Sequence, residues 1–255
     1  MDALDIFEYT VSISYSSDLD LSSSSSQDSP AVKMDDSHLP RVSYNDITNQ
    51  RVLGQGAYGI ARLVSLKLAN GGVVPAVAKT SHEGQSLMAE ALALYHLNGA
   101  GGAPVLYGVT SEDPQALVME YCSGVTVDKF LKSHSKEECL EAFTSMSEAL
   151  DQLHAKGYAH RDLHEENIII DASCRPYTAH IIDLGFAIRL KNDGRDSDQR
   201  IKGYDWDGLS DILKQQQQHE GEQQQKQDEQ QPDERKQDEH QQQQQQQKQE
   251  QHFTC

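Results

Sequence analysis

The sequence predicts an α+β fold in two successive parts: a small antiparallel β-sheet carrying one helix, then a mainly helical part with short strands. Three patterns carry that prediction. Between Arg51 and Lys79, apolar runs are interrupted by a cluster of glycines and by Asn70-Gly71-Gly72, the signature of strands joined by hairpins. From about Glu137 to His154, the residues Leu140, Phe143, Met146, Leu150 and Leu153 fall on one helical stripe. Beyond it, Ile168-Ile169-Ile170 and His180-Ile181-Ile182 flank a turn at Ser173 to Pro176, too short for helices.

In chain order, Val52-Leu53 leads into the glycines, and Ile60 to Leu68 and Val73 to Lys79 form the next two strands. Ser86 to Leu97 reads as a helix, with Leu87, Ala91 and Leu94 at helical spacing and Asn98-Gly99 as its stop. Strands follow around Val105 to Thr110 and Ala116 to Tyr121. Gly157 ends the long helix.

Composition divides the chain of 255 residues in three. Residues 1–40 hold 11 serines and 8 acids against one lysine, which predicts a disordered acidic, Ser-rich arm. About half of 214–255 is glutamine, a low-complexity tail. The foldable unit is 41–213, with a net charge of −7 out of −18 for the whole chain, so much of the excess lies in the flanks. This balance excludes a basic nucleic-acid binder. No run approaches the ~20 apolar residues of a membrane span. The start Met1-Asp2-Ala3-Leu4-Asp5 lacks a signal peptide's positive region and apolar run. Cys122, Cys139, Cys174 and Cys255 show no CxxC spacing. The expectation is a reduced intracellular compartment, cytoplasmic or nuclear.

Gly54-Gln55-Gly56-Ala57-Tyr58-Gly59 is a GxGxxG, which on its own reads equally as a glycine-rich turn. A dinucleotide-binding GxGxxG opens a helix, whereas β-type sequence follows here, so these glycines would close a hairpin over a ligand. Backbone without Cβ atoms can approach phosphates closely and present N–H groups. Ala76-Val77-Ala78-Lys79 ends an apolar strand. His160-Arg161-Asp162-Leu163-His164-Glu165-Glu166-Asn167 then matches H-R-D-L-x-x-x-N at every fixed position, and Asp183-Leu184-Gly185 follows after Ile181-Ile182.

In these strings, residues 45–213 resemble the eukaryotic-type protein kinase family. The resemblance implies a bilobal fold, with an N-lobe at about 45–120 and a shortened C-lobe at about 123–213. It implies ATP and Mg²⁺ as cofactors and a protein substrate, most simply its Ser or Thr hydroxyls, with no nucleic-acid or membrane partner; it does not assign an oligomeric state. Lys79 would hold ATP phosphates and needs a carboxylate, for which Glu90 is preferred to Glu83. Asp162 would orient or deprotonate the acceptor hydroxyl, and Asn167 and Asp183 would bind the metal. Gly54, Gln55, Gly56 and Gly59 would cover the phosphates. Ala61, Val77, the backbone of Glu120 and Cys122, and Ile169 would enclose adenine, with Met119 as gatekeeper. His160 would be structural. Arg161 would meet an anion, either Asp193, Asp196 or Asp198, which is preferred, or a phosphorylated Ser197.

The chain departs from the family in having Leu184 for the usual Phe, no Ala-Pro-Glu, and a glutamine tail in place of the later C-lobe helices. His164 stands where serine/threonine kinases carry Lys. Tyr204 to Leu209 resembles the start of the helix that anchors the catalytic loop. Two alternatives to a protein kinase stay open: a pseudokinase-like ATP-binding scaffold, and a small-molecule kinase.

Overall fold

A computed structural model of the chain describes residues 37–56, 59–82, 86–191, 196–216, 218 and 221. Two compact units divide the chain, residues 1–209 and 210–255. In the second, residues 210–216 are helical, including residues 214–216 of the glutamine-rich segment, and Lys214 Nζ lies 2.9 Å from Asp211 Oδ1.

The first unit opens with a six-stranded sheet. Its strands are β1 (Arg41–Val42), β2 (Ile47–Gly56), β3 (Gly59–Lys67), β4 (Val73–Ser81), β5 (Leu106–Thr110) and β6 (Ala116–Glu120), in the order β1-β5-β6-β4-β3-β2. All neighbours are antiparallel except β1 and β5. The alternation expected of a strand with one buried face is clear in β3 and β4. Val64, Leu66, Ala76 and Ala78 join Val118 in a buried core, while Val77 and Lys79 look out of the opposite face. The Asn-Gly-Gly turn closes as expected: Gly71 has φ 83°, and Asn70 Oδ1 accepts the Gly72 N–H at 2.9 Å. Exposed β2 is the outer edge and carries two bulges, a feature that blunts an edge against further pairing.

The opposite edge begins earlier than its composition suggests. Leu39, inside the segment read as a polar arm, is buried, and the Pro40 carbonyl accepts the Val109 N–H at 2.9 Å. The two residues of β1 are too few to show periodicity.

Helix α1 (Met88–Leu97) crosses beside this sheet and ends on Asn98 in left-handed conformation. The following loop ties it to the second half of the unit. The Gly101 N–H donates to Gln152 Oε1 at 3.2 Å, and His180 Nδ1 donates to the Gly102 carbonyl at 3.0 Å. Gly102 has φ +63°, and a Cβ there would lie 2.1 Å from the Ala179 carbonyl oxygen, so only glycine fits.

The second half contains β7 (Val125–Thr126), α2 (Val127–Ser133) and α3 (Lys136–Ala155). It continues with β8 (Tyr158–Ala159), β9 (Ile168–Asp171), β10 (Thr178–Ile181) and β11 (Ile188–Arg189). Ser135 and Glu138 form a capping box that starts α3. The buried stripe runs through Phe143, Met146, Leu150 and Leu153 as the spacing predicts, but Cys139 rather than Leu140 fills its first turn. The isoleucine runs become the antiparallel pair β9–β10. Residues 196–209 are helical and are called α4, so the helix already runs eight residues before Tyr204, where the sequence placed the start of the anchoring helix; residues 192–195 lie outside the described residues. Ser197 and Asp198 in this earlier part are polar and offer no apolar stripe.

Gly102→Ala should shift the urea midpoint by an amount equivalent to at least about 2 kcal/mol. An unchanged midpoint would contradict the close packing of this loop on β10.

Candidate active site

Cross-strand partners put the predicted cleft residues on one face of the sheet. Ala61 lies opposite Lys79, which lies opposite Leu117; Val77 lies between Leu63 and Met119. Gly54 pairs with Ala61, and Gly56 with Gly59, so the glycines end the β2–β3 hairpin over this face; Gln55 pairs with Ile60. Residues 57 and 58 lie outside the described residues. A Cβ on Gly59 would meet the Thr80 carbonyl oxygen at 2.0 Å, so packing alone explains that glycine. Gly54 and Gly56 differ. Neither has a left-handed φ, and a Cβ on either meets nothing within 4 Å. The protein's own packing does not demand glycine there, whereas a phosphate approaching the backbone would.

Lys79 joins the two halves of the unit. Its ammonium lies 2.8 Å from Glu90 Oε2 and 2.6 Å from Asp183 Oδ1. Of the two carboxylates weighed from sequence, Glu90 makes the contact from the first turn of α1, at 3% exposure; Glu83 lies outside the described residues. Burial alone would depress the Lys79 ammonium, but Glu90 and Asp183 together outweigh it and hold its pKa above the ordinary lysine value. Burial raises the Glu90 carboxyl although Lys79 pulls it down, because Glu90 is the more deeply buried partner. Asp183 also resists burial, and the Lys79 charge and hydrogen bond hold it below the usual carboxylate range. Asp183 has φ 59°, and Gly185 sits so close that a Cβ on it would lie 3.3 Å from Asp183 Oδ1.

The segment from His160 to Asn167 is fixed from within. His160 is fully buried, as its structural reading requires; its Nδ1 accepts the Asp162 N–H at 3.3 Å, and its Nε2 donates to the Ile182 carbonyl at 2.9 Å. Asp205 of α4 accepts the N–H groups of His160 and Arg161 at 2.8 and 2.6 Å, and His154 Nε2 lies 2.9 Å away. The His154 contact was not foreseen. Its only sequence signal is a polar residue four beyond Leu150 on the buried stripe of α3. The Asp162 side chain remains 47% exposed. The Asn167 amide nitrogen donates to the Asp162 carbonyl at 2.9 Å and lies 2.8 Å from His164 Nε2, leaving Oδ1 to take a ligand. The Asn167 carbonyl accepts the Ile182 N–H at 2.9 Å, which brings Asn167 beside Asp183. One carboxylate and one amide oxygen are hard donors, which suit magnesium shared with phosphate oxygens. Among the described residues, no group of three or more His, Cys, Asp and Glu forms a metal cage.

The segment linking the two halves carries Glu120, at the end of β6, and Cys122 just beyond it. The Glu120 side chain has more to do than the sequence suggests, because its Oε2 accepts the Val105 N–H at 3.1 Å. Cys122 is buried, and that burial, with Glu120 nearby, pushes its thiol up to about 12, so it stays protonated. Ile169 is half-buried between the buried Ile168 and Ile170, facing away from the core that they enter. Arg161 departs from expectation. It is exposed and makes no ion pair among the described residues, while Asp198 is buried and accepts the Lys191 N–H at 3.4 Å. Asp193 lies outside the described residues, and Asp196 is exposed.

A glycine hairpin above a Lys–Glu–Asp cluster, facing an exposed aspartate and a fixed asparagine amide, is the layout of a phosphoryl-transfer cleft. The protein kinase domain family model matches residues 47–206, more than half of the chain, and the chain belongs to the eukaryotic-type protein kinase family. It is similar to the serine/threonine-protein kinase PEPKR2 of Arabidopsis thaliana, 28% identical over 151 residues, 57% of this chain and 31% of that protein. It is also similar to MAP kinase-interacting serine/threonine-protein kinase 1 of Xenopus tropicalis, 30% identical over 149 residues, 55% of this chain and 36% of the relative. Calcium-dependent protein kinase 5 of Plasmodium falciparum is 28% identical over 145 residues, 55% of this chain and 26% of that protein. The matches thus span about a third or less of each relative's length.

Removing the lysine leaves a buried carboxylate without its cation. Lys79→Met should therefore lower the urea midpoint at pH 8 more than Lys79→Met combined with Glu90→Gln does. Because the folded state raises the Glu90 pKa, its penalty appears as pH rises and disappears as pH falls, so the gap should close toward pH 5. A gap independent of pH would exclude Glu90 as its source.

Proposed function

We propose that this protein transfers the γ-phosphoryl group of ATP to Ser or Thr hydroxyls of protein substrates. The observation that carries this reading is Lys79 held between Glu90 and Asp183 at 2.8 and 2.6 Å, on the cleft face of the sheet. A lysine charged and fixed in this way presents a cation to ATP phosphates without reorganising when the nucleotide enters. Gly54 and Gly56 leave backbone room for the phosphates, with Gln55 between them. Ala61, Val77 and Ile169, with the backbone of Glu120 and Cys122, take adenine.

Asp162 orients the acceptor hydroxyl and accepts its proton; its exposed carboxylate is available to an incoming side chain, while its backbone is fixed by His160 and Asn167. Asn167 Oδ1 and the Asp183 carboxylate are the groups that would hold Mg²⁺, which when bound neutralises phosphate charge. Catalysis on this reading is positioning plus electrostatics. The domain from 41 to 213 is the catalytic unit. Among the described residues no helix is long and apolar enough to cross a membrane.

A second reading, a nucleotide-binding scaffold of low activity, draws on one observation. Strand β11 ends at Arg189 and α4 is described from residue 196, so no more than six residues lie between them, little chain to form a ledge for an acceptor peptide. Transfer from radiolabelled ATP should be assayed on a peptide library, on the protein itself and on small alcohols. Label is expected on Ser or Thr peptides, and Asp162→Asn should reduce it at least about a hundredfold while Mg-ATP binding persists. Binding without transfer to any acceptor would favour the scaffold, and label on alcohols alone a small-molecule kinase.

A further inference from the structure

His82 lies one residue past the end of β4, outside the motifs of the cleft. Its Nε2 lies 3.0 Å from the carbonyl oxygen of Gly56, on the far arm of the glycine hairpin. The sheet order makes that contact unusual. β4 pairs with β3 and β3 with β2, so β4 has no backbone ladder to β2. The near arm of the hairpin is already fastened to β4, because Gly59 pairs with Ser81 and sits against the Thr80 carbonyl. The far arm ends in Gly54-Gln55-Gly56, an exposed edge with a bulge between Val52 and Gly54, and no described atom outside the adjoining chain lies within 4 Å of where a Cβ on either glycine would stand. Past the bulge it pairs with β3 through Gly54, Gln55 and Gly56, so this arm is held along one side only, just where phosphates would need it to be still.

We infer that His82 is a positioning residue that spans β3 and latches the outer arm of the glycine loop to β4 through the Gly56 carbonyl. This inference rests on the phosphoryl-transfer reading of the cleft. A carbonyl held by a ring N–H fixes the peptide plane that begins at Gly56, since that bond is planar. Two glycines in three residues give the unlatched arm many conformations to lose when nucleotide binds. The latch removes part of that loss beforehand, so its effect belongs in nucleotide affinity rather than in the chemical step. Nε2 carries a hydrogen both in the neutral tautomer that donates here and in the imidazolium, so the contact does not depend on a change of charge. His82 is exposed, and no buried packing depends on it.

The test compares His82→Phe, which keeps the ring volume and loses the donor, with His82→Gln, whose amide nitrogen replaces Nε2. Steady-state transfer and calorimetric titration with Mg-ATP are both measured on the full chain. His82→Phe should raise KM for ATP and the Mg-ATP Kd about fivefold, with kcat within about twofold and an unchanged unfolding midpoint. His82→Gln should stay within about twofold of the wild type in every quantity. Wild-type KM and Kd in His82→Phe would overturn the latch, as would equal losses in both variants. If the wild type binds Mg-ATP but transfers no phosphate, the enzyme reading fails while the Kd order of the variants still decides the latch. A wild type that does not bind Mg-ATP overturns both.

Discussion

The Asp205 carboxylate is fully buried and accepts from the backbone of His160 and Arg161, with His154 of α3 completing its surroundings. A buried carboxylate is tolerated only when donors replace the water it has lost, and charged acceptors give the stronger hydrogen bonds. Two of these donors are consecutive amides, which fixes the chain direction at the start of the loop. Arg161 is held at φ 69°, a conformation costly for a residue with a Cβ. That turn carries the side chain of Asp162 outward while His160 and Leu163 stay packed. The loop is therefore hung from one helix, and His160 links it to the strand that delivers Asp183.

Much of this was legible from residue order, for physical reasons. β3, β4 and α3 are long enough for a side-chain period to repeat, so their faces could be assigned before any coordinates existed. Lys79 and Val77 were picked out by their resemblance to a kinase motif, and the two-residue period of β4 explains why they share a face. Glu90 followed from the carboxylate that such a lysine needs on the next helix. What stayed hidden has a different character. β1, β8 and β11 are two residues long and exist only because a partner strand is there. The part of α4 before Tyr204 is mostly polar. The role of the Glu120 side chain depends on Val105, and that of His82 on Gly56, which are meetings across the fold that no local pattern encodes.

The exposed Arg161 shows the same limit from the other side. Three acids within six residues made an internal partner the natural expectation. Among the described residues Arg161 makes no ion pair: Asp196 is exposed, and Asp198 is buried and accepts the Lys191 N–H. Asp193 lies outside the described residues. Nearness in sequence therefore does not make Asp198 the partner of Arg161.

Helix α1 is fastened differently at its two ends. At its C-terminal end, His96 Nδ1 meets the Tyr158 hydroxyl at 2.7 Å, and the Gly101-Gly102 loop is wedged against α3 and β10. At its N-terminal end, Glu90 meets the Lys79 ammonium at 2.8 Å. With a rise of 1.5 Å per residue, Glu90 stands roughly 9 Å up the axis from His96. A tilt of about 20° around the fixed end would move its carboxylate by about 3 Å, comparable to the whole length of its contact with Lys79. A displacement of that size would part Glu90 from Lys79 while leaving the helix's own hydrogen bonds intact, so this ion pair depends on how α1 lies against the sheet rather than on whether it is folded.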